Sequence, residues 1–179
     1  MKKIFSFFLF LALCTAVSFC EATAVPLNET ITESSFVQQL NACAKRERIP
    51  VQIKKSKSYP TKKVGNIFYS VYLPVNIQSE LQNAIITKSK EKDGPIYLIE
   101  VFVDSKDRLR ELIGEMMAVE RTMGMPGGEG HLDGMFAITD ALTKGTGAYW
   151  SETTNRKYVI KFIGSRTNRS LGLTITAEI

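Results

Sequence analysis

The sequence predicts an α+β domain, with two to four helices packed on a largely antiparallel sheet. Three observations carry that expectation. Residues 96–103, IYLIEVFV, read as a buried strand bounded by Asp93-Gly94-Pro95 and Asp104-Ser105. Directly after them, Leu109, Leu112, Met116, Val119 and Met123 recur every three or four residues, one apolar stripe on a helix. Finally, short strand patterns separated by turn chemistry cluster at the end of the chain, after mixed helices and strands.

The first 24 residues have the layout of a secretory signal: Lys2 and Lys3, then the apolar Ile4 to Phe19, then small residues at Ala22 and Ala24. The apolar stretch is too short for a membrane span, so no transmembrane helix is expected after its removal. A lipid anchor on Cys20 is not expected, because Phe19 precedes it where that signal takes a small residue. Export to the periplasm or the medium follows as the expected localisation. Residues 25–32 read as a flexible leader and 33–179 as one domain, long enough for a sizeable core. Asn28-Glu29-Thr30 and Asn168-Arg169-Ser170 are glycosylation sequons where the host uses them.

Cys14 and Cys20 belong to the signal, leaving Cys43 alone and the domain without an internal disulfide. Cys43 shares a helix face with Phe36 and Leu40, which reads as core; a catalytic thiol would need a basic partner. That helix runs from about 33 to 47 and ends in Lys45, Arg46 and Arg48, cations that suit its negative end. Strands are expected at Pro50–Lys57 and Asn66–Val75, joined by SYPTKKVG. A second helix is expected over Gln78–Lys90, with Leu81 and Ile85 on one side.

In the central strand, Glu100 must face solvent or a basic partner, since an unpaired buried carboxylate costs several kcal/mol. Asp104 and Ser105 are placed to accept from free amides of the following helix, and Asp107 suits its positive end. Residues 124–128 stop that helix at a glycine-rich loop. DGMFAITDALTKG then reads as a helix from Asp133 to Gly145, with a strand as the alternative. Three strands close the chain at Ala148–Thr153, Lys157–Ile163 and Leu171–Ala177, the last alternating as a half-buried strand should.

Two candidate sites stand out. Lys45, Arg46, Arg48, Lys54, Lys55, Lys57, Lys62 and Lys63 form a segment of eight cations against Glu47 alone. A local excess of that kind suits an anionic surface or an acidic protein partner; lysines also blunt an exposed sheet edge. Tyr59, Phe68, Tyr69 and Tyr72 lie nearby in sequence, but export leaves nucleic acid an unexpected partner. The second candidate is Glu129-x-His131-x-Asp133, three ligand types that an extended loop would bring to one side for a divalent metal. The bland reading makes Asp133 a helix cap and the glycines a turn. There is no HExxH helix, no second histidine and no CxxC pair, and GMPGGEG lacks the Lys-Ser/Thr of a phosphate cradle. No G-x-S-x-G elbow is present.

The strand, the helix and the GGExxxDG of Gly127–Gly134 resemble the end of the domain in the regulator of ribonuclease E activity B. Met135 stands where that family has a tryptophan. The regulator acts in the cytoplasm and this chain reads as exported, so its function is not carried over. The sequence thus points to an exported, non-catalytic binding protein that needs no cofactor and meets its partner through a basic hairpin. The competing expectation is a small metal-dependent enzyme using Glu129, His131 and Asp133.

Overall fold

A computed structural model describes residues 24–53, 57–62, 67–75, 83–126, 131–165 and 170–179. In chain order they form β1 (Ala24–Val25), α1 (Glu33–Arg46), β2 (Lys57–Lys62), β3 (Ile67–Val75), β4 (Asn83–Ser89), β5 (Ile96–Val103), α2 (Leu109–Met123), α3 (His131–Lys144), β6 (Thr146–Thr153), β7 (Arg156–Gly164) and β8 (Leu171–Glu178). The strands make one antiparallel sheet ordered β2-β3-β4-β5-β8-β7-β6, with β1 pairing the end of β8. This is the predicted α+β architecture. Two meanders, β2 to β5 and β6 to β8, meet at the β5–β8 pair, where Val101 lies opposite Leu173.

Central placement explains one departure from the sequence reading. The last strand was expected to be half-buried, yet β8 is buried at nearly every position, Thr174 included. Between β5 and β7, its second face is shielded by neighbouring side chains rather than left to water.

A second departure concerns residues 78–90. The helix expected there is absent; Asn83–Ser89 is a strand, and 76–82 lie outside the described residues. Ile85, Ile86 and Thr87 are consecutive β-branched residues, which lose rotamer freedom in a helix and fit a pleated surface. Sandwiched between β3 and β5, this segment is buried from Asn83 to Thr87. The four-residue spacing of Leu81 and Ile85 misled, because tertiary burial overrides weak local propensity.

The first hairpin is shifted too. Within the expected Pro50–Lys57 strand, Ile53 makes an isolated bridge to Val75, and residues 54–56 lie outside the described residues. β2 starts at Lys57 and runs on through 58–62, part of the stretch read as a connection. The remaining strands match expectation to within two residues, and α3 forms in preference to the strand alternative, starting at His131.

The helices lie on one face of the sheet. α2 buries Leu112, Met116, Val119 and Met123 against residues such as Ile85, Ile99, Val101 and Leu173. α1 packs on α2, burying Phe36, Leu40, Cys43 and Ala44; Cys43 is the buried small side chain its helix face predicted. α2 ends in a Schellman turn: Gly124 adopts φ +72, its amide bonds to Arg121 O, and the Met125 amide reaches Glu120 O. Its start differs from expectation. Ser105 caps a short 3-10 turn over Lys106–Arg108 by accepting from the Asp107 amide, while Asp104 pairs with Arg108 instead of an amide. Glu100 has found its basic partner, since Lys88 on β4 reaches it at 2.8 Å.

α3 lies unusually close to the sheet. A Cβ on Gly147 of β6 would fall 1.9 Å from the Ala137 carbonyl oxygen, and one on Gly164 of β7 2.3 Å from that of Ala141. Small residues on both sides allow this approach, which places α3 over β6 and β7.

Candidate functional site

The basic residues trace one border of the sheet. α1 ends at Arg46, and the chain turns back through Arg48, whose φ is +57. The Asn41 side chain then holds Ile53 by both its backbone groups, at 2.8 and 2.9 Å. Ile53 bridges Val75, and Lys57 pairs with Tyr72 on the same side of β3, so the basic segment continues from the end of α1 along the sheet edge. β2 is an outermost strand of the sheet. Lys45, Arg46 and Arg48 are all exposed. Glu47, the segment's one acid, is engaged by Arg46 at 3.0 Å and by Arg121 of α2. Its hydrogen bond from Arg46, above all, holds its carboxyl below the ordinary glutamate range. Lys57 and Lys62 lie at the two ends of β2; Lys54, Lys55 and Lys63 lie outside the described residues.

The three metal-ligand candidates are placed differently from an extended loop. His131 and Asp133 both belong to the first turn of α3. Positions two apart on a helix point about 200° apart, so alternation does not bring them together. Glu129 lies outside the described residues. Asp133 is exposed and favours the positive helix end, within the helix rather than ahead of it as a cap. Among the described residues, no three His, Cys, Asp or Glu side chains are grouped to hold a metal ion.

The sequence reading passed over the polar groups flanking the α2 stripe. Glu115 lies on one side of it and Glu120 on the other, both buried. Toward β4, the fully buried Asn83 donates to Glu111 and to Glu115, each at 2.7 Å. Arg108 also binds Glu111, which lowers that carboxyl. Burial instead pushes the Glu115 carboxyl up to about 8, against the opposing pull of the Asn83 amide. Glu115 Oε2 and Asn83 Oδ1 are both buried without a hydrogen-bond partner, so a proton on Glu115 supplies a donor the cluster otherwise lacks. Toward β6, the Tyr149 hydroxyl donates to Glu120 at 2.6 Å. A signal was available: Glu115 lies three residues after Leu112 and four before Val119, and Glu120 four after Met116 and three before Met123, whereas Glu111 and Arg121 have no stripe residue at either spacing. These groups orient α2 on the sheet.

A cleft of about 840 Å³ opens at the opposite sheet end, lined by Val25, Glu29, Ile179 and the β6–β7 turn. Arg156 crosses it, donating to Pro26 O at 3.1 Å and to Glu29 at 2.6 Å. Its cation is therefore already paired, and Glu152 and Lys157 balance one another along the wall. Exposed apolar side chains occur on the outer side of α3 at Leu132, Met135 and Phe136, and on β6 at Trp150. Among the described residues no helix is long and apolar enough to cross a membrane. No family model, curated protein or solved structure matches this chain.

Proposed function

We propose that this is an exported binding protein that engages an anionic surface or acidic protein through the basic border formed by α1 and β2. The observation that carries the reading is the continuity of that border. The Ile53–Val75 bridge and the Lys57–Tyr72 pairing set the cationic end of α1 and the lysine-bearing edge strand in one line. Clustered charge of one sign attracts a partner of the other by long-range steering and by contact. Export rests on the Lys2-Lys3 and apolar pattern of the first 24 residues. Lys54, Lys55 and Lys63 extend the border in sequence.

The test is co-sedimentation with anionic phosphatidylglycerol vesicles, alongside heparin-column retention, over a salt series. The wild-type domain is expected to bind at low ionic strength and to release as the Debye length shrinks below about 8 Å. A variant with Lys54, Lys55 and Lys57 changed to Glu, matched for circular dichroism, is expected to lose retention. Equal binding by variant and wild type sinks the proposal.

A further inference from the structure

The two outer edges of the sheet are treated differently by the sequence. β2 carries Lys57, Pro60 and Lys62, devices that discourage another strand from adding to an edge. β6, TGAYWSET, has eight residues with no lysine, arginine or proline, and a single charge at Glu152. The direction of its free backbone groups follows from the β7 ladder. The Gly164 amide donates to Gly145 O at 2.9 Å, and the register continues unbroken from Thr146–Ile163 to Thr153–Arg156. Backbone groups alternate in direction along an antiparallel strand. Gly147, Tyr149, Ser151 and Thr153 therefore turn theirs toward β7, while Thr146, Ala148, Trp150 and Glu152 turn theirs outward. Among the described residues no other strand pairs with that side.

We propose that two copies of this chain associate by antiparallel pairing of β6 with β6, joining their sheets into one. The side chains of β6 argue for a second copy as the occupant. A two-fold axis through Tyr149, perpendicular to the sheet, sets Trp150 of each copy beside Ala148 of the other, and Glu152 beside Thr146. Large meets small, no like charges oppose, and every outward amide and carbonyl of the four residues finds its counterpart. One self-complementary patch is what a closed two-fold interface requires. Trp150, 60% exposed on the sheet face opposite α3, gains cover over the neighbouring Ala148. A strand supplied by another protein would have to reproduce that register and spacing; an identical strand already has them.

Sedimentation velocity of the domain across the micromolar range tests this. Wild type is expected to sediment as a dimer that dissociates on dilution. Ala148→Pro removes an outward amide that β7 does not use, a position where an edge strand tolerates proline. It is expected to sediment as a monomer with an unchanged circular dichroism spectrum. Trp150→Lys, which sets a cation on each side of the two-fold axis, is expected to weaken the dimer about tenfold or more; if Ala148→Pro does not fold, this variant decides. Wild type that stays monomeric at high micromolar concentration overturns the proposal. So does a dimer that a folded Ala148→Pro, or Trp150→Lys, leaves as strong as wild type.

Discussion

The Tyr149 hydroxyl on β6 donates to the carboxylate of Glu120 on α2 across 2.6 Å, with both side chains buried. This bond ties the central helix to the strand meander that follows it. Burial first, and the adjacent Glu120 second, push the phenol above its ordinary range, so it stays protonated, and a donor, through neutral and mildly alkaline pH. Tyr149→Phe keeps the ring beside Phe162 and removes the donor. The expected loss is about 1–3 kcal/mol, the usual range for a hydrogen bond to a charged group, read as a lower urea midpoint at unchanged m-value. An unchanged midpoint would mean that Glu120 is held as well without it.

Glu115 sets a pH dependence of definite sign. Its carboxyl stands at about 8 in the fold, against about 4.3 in an unfolded chain. Across that interval the folded state keeps a proton the unfolded state has released. Its contribution is complete below the unfolded value and is lost as pH rises through the folded one. Glu111, Glu47 and Asp93 are shifted downward and act in the opposite sense, so the informative quantity is a difference between proteins. Glu115→Gln has no proton to lose. Its stability relative to wild type should improve by more than about 1 kcal/mol between about pH 5 and pH 8. A difference that stays flat with pH would place an ionised Glu115 in the fold.

Gly147 is predicted to be intolerant of any side chain. A methyl there meets the Ala137 carbonyl at 1.9 Å, far inside contact distance and against backbone that cannot swing away. Gly147→Ala should cost about 3 kcal/mol or more as α3 is forced off the sheet. Gly134→Ala is the useful comparison, because its Cβ would meet the Tyr149 ring at an ordinary 3.5 Å and helix propensity favours alanine. Thermal midpoints that fall equally for both variants would contradict the close-approach explanation.

Periodicity made β5, α2 and the three closing strands legible because their patterns are long and bounded by turn residues. It failed at β4, where Leu81 and Ile85 mimic a helical spacing while Ile85, Ile86 and Thr87 favour extended backbone. It also passed over Glu115 and Glu120. A helix pattern marks a carboxylate beside the stripe as solvent-facing until a strand supplies an Asn83 or a Tyr149 to receive it. Lys88 and Glu100 show the opposite case: the need for a basic partner was evident in the strand itself, but which lysine met it depended on strand order.

By itself the sequence determined the α+β class, the apolar faces of α1 and α2, the glycine stop at residue 124 and the concentration of cations between Lys45 and Lys63. Each is a property of neighbouring residues, set by local periodicity, capping and charge. Tertiary structure alone decided that β8 lies between β5 and β7, that Ile53 and Lys57 share one border of β3, and that the helix expected from Asp133 starts two residues earlier, taking in His131. Among the described residues it also left one edge of β6 without a strand partner. These depend on which distant segments become neighbours, and hence on burial and backbone pairing that no stretch of chain specifies alone.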